Sequence, residues 1–116
     1  MDENQLKERT KRFSLRVIKL VGALPNTIEG RAIRNQLVRS GTSVGAKYRA
    51  AFRGRSKTEF ISRLGVVEEE ADESAFWMEI IIKGGLMRKK LVQPLLQEAN
   101  ELVAIMTDSR KSAARR

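Results

Sequence analysis

The stretch that decides the fold is SKTEFISRLGVVEEEADESAFWMEIIIKGG, residues 56–85. Ser56 and Glu59 have the spacing of a capping box, in which two side chains accept hydrogen bonds from backbone N–H groups at a helix start. Residues suited to a core then recur in alternating steps of four and three: Phe60, Leu64, Val67, Ala71, Ser74, Met78 and Ile81. Gly84 and Gly85 end the pattern. This spacing predicts a long helix that packs nearly parallel to its neighbours, as in a helical bundle.

Two helices are predicted before this stretch. The first runs from about Gln5 to Leu24 and stops at Pro25-Asn26, because proline cannot continue a helix. The second runs from about Ile28 to Arg53, with Thr27 or Asn26 as its cap. Small residues near its middle, among them Gly41 and Gly45, predict a close approach to another helix.

One helix is predicted after it, from Lys90 or Leu91 to about Ser109, with Pro94 in its first turn. Because the connections are short, neighbouring helices should be antiparallel. We therefore predict an all-α, up-down-up-down antiparallel four-helix bundle as a single domain over residues 1–109. The basic segment RKSAARR, residues 110–116, is predicted to be a frayed tail.

Composition excludes several kinds of chemistry. The chain has neither cysteine nor histidine, so disulfides, thiolate nucleophiles, zinc fingers and imidazole catalysis are absent. No apolar run approaches the ~20 residues of a membrane-spanning helix, and the polar start MDENQLKERT does not resemble a secretory signal. We expect a soluble, cytoplasmic protein with no cofactor and no membrane partner. The net charge of +9 favours a polyanionic partner.

The positive charge is concentrated between residues 31 and 63, which hold nine Lys or Arg and one acid. At 100° per residue, four arginines of the second helix lie within about 80° of one another, opposite its apolar residues. Guanidinium groups spaced in this way suit phosphates. The predicted nucleic-acid-binding residues are Arg31, Arg39, Arg49, Arg53, Arg55 and Lys57. A solvated helix face without a ligand would show the same pattern.

No aromatic residue alternates with these arginines as a base-stacking platform would require, so binding should be directed to the backbone and weakly sequence-specific. Six carboxylates follow between Glu68 and Glu79. They spread around the helix, and the Glu-x-x-His pairs of di-iron bundles are missing. We therefore predict no catalytic residue and no metal site.

Four apolar residues lie to one side of the third helix's core positions: Val66, Phe76, Trp77 and Ile80. A small bundle cannot easily bury both surfaces of one helix, and an exposed aromatic strip would be covered by another subunit. These four residues are our predicted subunit interface. The alternative is a wide helix buried on two sides within one bundle.

Ordered segments of the chain carry a resemblance to a known family. They are QLVRSGTSVGAKY at 36–48, SKTEFISRL at 56–64, EADESAFW at 70–77 and LLQEANEL at 95–102. The chain resembles, from about Phe13 to Met106, the bacterial four-helix bundle proteins known as the intervening-sequence protein family. Some members are encoded within insertions in large-subunit ribosomal RNA genes. The chain departs from the family at Lys47, where asparagine is common, and at Ala50, near which an acidic residue is common.

The resemblance implies a ring-like homopentamer and supplies no established enzymatic activity. More distantly, the family is similar to the accessory proteins of diversity-generating retroelements, which are basic pentameric barrels that bind nucleic acid. Our main hypothesis is a non-catalytic, oligomeric accessory protein that binds nucleic acid, with RNA as one candidate. One alternative is a protein-interaction scaffold that docks a basic protein on the acidic third helix. Another is a metal-dependent enzyme that uses Glu70 and Glu73.

Overall fold

The computed structural model describes all 116 residues and contains four α-helices and no strand. The helices are α1 (Glu3–Val21), α2 (Ile28–Ala51), α3 (Lys57–Lys83) and α4 (Lys89–Ala114). The molecule measures 47 × 21 × 19 Å. At 1.5 Å per residue the three longer helices are each about 36–40 Å long, so they must run along the long axis.

The order in which the helices pack is that of an up-down-up-down bundle. Each helix packs on the next in sequence, and α4 packs on α1. In the diagonal pairs, α1 with α3 and α2 with α4, no two Cα atoms lie within 8 Å of each other. The prediction of an all-α four-helix bundle is confirmed.

Side-chain chemistry sets the helix ends. Ser56 Oγ accepts a hydrogen bond from the backbone N–H of Glu59 at 3.1 Å, as predicted. The Glu59 carboxylate accepts from the N–H of Arg55, one residue before the expected donor. At the other end of α3, Gly85 takes a φ of 70°. The N–H groups of Gly85 and Leu86 donate to the carbonyls of Ile82 and Ile81, which is a Schellman motif.

The prediction of α4 was wrong at its end. The helix continues to Ala114, five residues beyond Ser109. Tertiary contacts hold this extension, since Ala113 is buried and Arg110 donates two hydrogen bonds to Glu68 Oε1 on α3, at 2.7 and 2.9 Å. The segment predicted to be a frayed tail is therefore mostly the last turns of α4. At the start of α4, Pro94 is the sixth helical residue and lies beyond the first turn.

The core is aliphatic, with Phe13, Leu37, Leu64, Met78 and Leu102 among its largest buried side chains. The predicted close approach of α2 to another helix is found between α2 and α1. A Cβ atom added at Gly41 would lie 2.6 Å from Val17 Cγ1, so only glycine fits at this crossing. Ser14 Oγ completes the contact by donating to the Gly41 carbonyl at 2.8 Å.

Candidate nucleic-acid interface

The structure separates the six predicted nucleic-acid-binding residues into three locations. Four of them, which we call the basic end, lie where α2 finishes and α3 begins: Arg49, Arg53, Arg55 and Lys57. Their side chains are exposed, and the three arginines form no ion pair or side-chain hydrogen bond. Lys57 Nζ donates to the carbonyl oxygen of Arg116, so the residues that follow α4 lie beside the basic end.

Arg31 lies at the opposite end of α2. The 18 residues between Arg31 and Arg49 complete five helical turns, so both point to the same side but are about 27 Å apart along the axis. The Arg31 guanidinium donates to the side chain and the backbone carbonyl of Asn26, at 3.3 and 3.4 Å. Arg31 is therefore remote from the basic end.

Arg39 lies between these two places and faces α3. Its guanidinium donates to the carboxylate of Glu73 and, at 3.4 Å, to both carboxylate oxygens of Glu70. The hydrogen bond to Glu73 and the charges of Glu70 and Glu73 raise the pKa of Arg39 above its usual value. The positive charge of Arg39 is therefore balanced within the chain, which leaves it less suited to bind a phosphate.

Glu70 explains why these cations are needed. Its side chain is buried, with 6% of the residue exposed, and its carboxylate accepts a hydrogen bond from Lys47 Nζ at 2.8 Å. A buried carboxylate without a cation would be strongly unfavourable. Lys47 of α2 thus pairs with an acid on α3.

The carboxylates of the metal-enzyme hypothesis have protein partners. Glu70 is bound by Lys47 and Arg39, and Glu73 by Arg39 and by the indole N–H of Trp77 at 3.3 Å. No group of three or more Asp or Glu residues is placed to hold a metal ion.

A groove between α1 and α2 extends the basic end. It has a volume of about 580 Å³ and is lined by three cations, Lys7, Lys11 and Arg49, and by one acid, Glu8. Lys7 and Lys11 pair with Glu3 and Glu8 on the same helix. Such exposed pairs are worth at most about 1 kcal/mol. Lys7 Nζ also lies 4.9 Å from the centroid of the Phe52 ring. The sequence analysis missed both lysines, although their i, i+4 spacing on α1 places them on one side.

Three aromatic side chains pack together at this end of the bundle. Tyr48 is buried beside Phe52, and its burial raises its pKa to about 12, with smaller contributions from the charges of Glu3 and Asp2. The rings of Tyr48, Phe52 and Phe60 pack on one another, with neighbouring centroids 5.2 and 5.3 Å apart. Each of these rings thus contacts at least one other ring of the three.

The predicted subunit interface is partly exposed on the single chain. Phe76 is 49% exposed and packs edge-on against Trp77, with ring centroids 5.0 Å apart. Trp77 and Ile80 lie partly buried against the core, and Val66 lines a shallow pocket with Lys47 and Ala50. The bundle fully buries none of these four residues.

Fold and surface together define a basic, all-α four-helix bundle protein. The chain belongs to the 23S rRNA-intervening sequence protein family, whose pattern it matches over residues 2–108, and the resemblance seen in the sequence is thereby confirmed. It is also similar to the crystal structure of a protein of unknown function from the S23 ribosomal protein family, from Bacteroides thetaiotaomicron. The two share 27% identity and a TM-score of 0.87 over 96% of this chain and 99% of the other.

No curated protein matches the chain significantly. None of the four helices combines the length and the apolar character needed to cross a membrane.

Proposed function

We propose that this protein is a non-catalytic, oligomeric accessory protein that binds nucleic acid through the basic end and the adjoining α1–α2 groove. One observation carries the proposal. Arg49, Arg53 and Arg55 are exposed and have no acidic partner, whereas the cations in the middle of α2 are paired with Glu70 and Glu73. The cations in the middle of α2 are thus neutralised within the chain, whereas the three arginines of the basic end are not.

Free guanidinium groups suit a phosphate backbone, because each offers forked hydrogen bonds to phosphate oxygens. The neighbouring aromatic rings pack on one another, which argues against base stacking as the main source of affinity. Recognition is therefore directed to the backbone and to its shape, with weak sequence preference. The family's name refers to intervening sequences of 23S rRNA, so structured RNA is the first ligand to test.

The oligomeric part of the proposal rests on the partly exposed residues of α3. Phe76, Trp77, Ile80 and Val66 form an apolar strip that a second copy of the chain would cover. The family resemblance favours a homopentameric ring. Repeating a modest phosphate-binding surface around a ring would raise its affinity for a long polyanion through avidity.

The direct test is fluorescence-anisotropy titration of the purified protein with structured RNA, single-stranded RNA and duplex DNA at two salt concentrations. Affinity should fall steeply as salt rises, because phosphate contacts release counterions. Binding should survive EDTA, since arginine contacts need no metal. Salt-insensitive binding would contradict the proposed contacts.

A protein-interaction scaffold is the second candidate. The observation that favours it is a group of α3 acids, Glu69, Asp72 and Glu79, that are exposed and unpaired. An intact oligomer that binds none of the three nucleic acids at low salt would favour this scaffold. In either role we propose a cytoplasmic location.

A further inference from the structure

A partly open, apolar cavity lies at the end of the bundle where α1 and α3 begin and α2 and α4 end. Its volume is about 440 Å³, within the range of about 300–1,000 Å³ that is typical of small-molecule sites. All four helices contribute to its walls, which include Leu6, Tyr48, Phe52, Phe60, Leu64 and Ala113. We call it the Tyr48 cavity.

The cavity arises from a change in side-chain size along α4. The core positions of this helix recur in steps of four and three, and Leu95, Leu102 and Met106 are the large residues among them. The next two positions in the same pattern are Ser109 and Ala113. Because both side chains are small, they leave space at the end of the core that a leucine or methionine would fill.

Tyr48 presents an unpartnered hydroxyl in this space. The residue is 3% exposed, and its hydroxyl forms no hydrogen bond within the chain. Every fully enclosed polar side-chain atom of the protein has a hydrogen-bond partner, so the Tyr48 hydroxyl must adjoin open space. Since Tyr48 lines the cavity, that space is the cavity. A buried hydroxyl left without a protein partner is suited to bond a ligand.

Three further polar side chains on α4 line the cavity without a partner. Serine in a helix often bonds the carbonyl one turn back, as Thr107 does to Val103 at 3.0 Å. Ser109 and Ser112 form no such side-chain bond, and Asp108 forms neither a hydrogen bond nor an ion pair. The cavity therefore combines apolar walls with a few free polar groups, as ligand sites do.

The electrostatics of the cavity favour a positively charged ligand. Its lining holds two carboxylates, Glu3 and Asp108, and one guanidinium, Arg116. Burial is the main reason why the pKa of Tyr48 is raised, and the charges of Glu3 and Asp2 are the others. Because these charges disfavour the phenolate, the potential that they create at the Tyr48 hydroxyl is negative. This place thus differs in sign from the chain as a whole, whose net charge is +9.

The chain's own Lys7 shows how the lining residues bind an ammonium group. Lys7 Nζ lies 2.7 Å from Glu3 Oε2 and 4.9 Å from the centroid of the Phe52 ring. Both of these partners line the cavity, whereas Lys7 lines the groove on its other side. A carboxylate and the face of an aromatic ring are the two groups that attract ammonium ions in proteins.

We propose that the Tyr48 cavity binds an organic amine, a molecule with an apolar body and a protonated amino group. The apolar body packs on Leu6, Phe60 and Leu64. The ammonium group, which has three N–H donors, lies among the Tyr48 hydroxyl, the serine hydroxyls and the Asp108 carboxylate. This site goes beyond the proposed function, because it lies apart from the arginines of the basic end and takes a ligand of the opposite charge.

The test titrates the protein with three probes that share a phenyl ring and have similar size but differ in charge. They are 2-phenylethylamine, 2-phenylethanol and 3-phenylpropionate. The amine should bind at least about tenfold more tightly than the alcohol, and the carboxylate should not bind measurably. Calorimetry measures the affinities. The ring resonances of Tyr48, the only tyrosine, should shift as the amine is added, which localises the site.

Three variants test the residues assigned to the amino group. Tyr48→Phe keeps the ring, removes the free hydroxyl and should weaken amine binding about tenfold. Asp108→Asn removes the unpaired carboxylate and should weaken it about threefold. Asp72→Asn is the matched control, because it removes an exposed, unpaired carboxylate in the middle of α3 and should leave the affinity unchanged.

A fourth variant tests the cavity itself. Ser109→Leu restores a large side chain at the core position that opens the space, so it should abolish binding of the amine. The same substitution should raise the melting temperature, because it fills a cavity lined by apolar residues. A melting curve therefore distinguishes a filled cavity from a damaged fold.

Each result bears on the inference. An alcohol that binds as well as the amine would overturn the ligand class, and equal losses in Asp108→Asn and Asp72→Asn would overturn the role of Asp108. Amine binding that leaves the Tyr48 resonances in place, or that survives in Ser109→Leu, would overturn the site. Failure of all three probes to bind would overturn it as well. Nucleic-acid binding is measured separately by anisotropy and is decided by none of these results.

Discussion

The buried carboxylate of Glu70 on α3 accepts a hydrogen bond from Lys47 Nζ on α2 at 2.8 Å. Arg39, eight residues earlier and about two turns away on the α3-facing side of α2, approaches the same carboxylate with bonds of 3.4 Å. The middle of α2 is thus basic in sequence, but its charge is balanced in the fold. This pairing is the reason why the proposed ligand contacts lie at the end of the helix.

Removing both cations should cost more than the sum of the two single changes. Lys47→Ala and Arg39→Ala each leave Glu70 one partner and should each lower the free energy of unfolding only slightly. The double variant leaves a buried carboxylate without a cation, and the excess cost should be about 1 kcal/mol. Urea denaturation measures all three. In a Glu70→Gln background the excess should vanish; strictly additive values would show that the pairing does not stabilise the fold.

Two glycine substitutions should change stability in opposite directions. Gly41→Ala puts a methyl group 2.6 Å from Val17 and should lower the free energy of unfolding by about 1–3 kcal/mol. At Gly65, in the interior of α3, the nearest atom to an added Cβ is a side-chain carbon of Arg110 at 3.5 Å. Gly65→Ala should therefore stabilise the protein by about 0.5–1 kcal/mol. Thermal denaturation of the pair checks the sign, and a stable Gly41→Ala would contradict the close approach of α1 and α2.

Tyr48 should make stability fall at high pH. Its pKa in the folded protein is about 12, above the usual 10.0, so the folded state holds the phenol proton more tightly than the unfolded chain does. This contribution is complete below pH 10 and is lost as the pH rises from about 10 to about 12. Tyr48 is the only tyrosine, so tyrosinate absorbance reports it alone.

The matched control is Tyr48→Phe, which removes the titrating group and keeps the ring. Its stability should lose the part of the pH dependence between about 10 and 12 that Tyr48 causes. A tyrosinate midpoint near 10 in the folded protein would show that Tyr48 is more open to water than its position indicates.

The sequence was most informative where local chemistry decides the structure. Ser56 and Gly85 set the ends of α3 through caps that depend on residues a few positions away, and both ends were predicted. The end of α4 was not, because Arg110 is held by Glu68, 42 residues earlier in the chain. Such a contact leaves no periodic signal.

The same distinction applies to the candidate site. Arg39 lies only eight residues from Arg31, a rotation of about 80° on a helix. That rotation separates a side chain facing solvent from one facing the acids of α3, and the difference depends on where α3 packs. The sequence pattern groups the arginines on one side of the helix. It does not predict which of them forms ion pairs with Glu70 and Glu73.

The measurement that tests the central claim most directly compares charge reversals at the two ends of the bundle. Arg49→Glu/Arg53→Glu changes the basic end, and Lys89→Glu/Lys90→Glu changes exposed lysines at the start of α4. Each pair lowers the net charge by four, from +9 to +5. In anisotropy titrations with structured RNA, the first variant should bind at least about tenfold more weakly and show a salt dependence reduced by about one for each lost phosphate contact. The second should stay close to wild type; equal losses in both variants would mean that net charge, and not the basic end, determines binding.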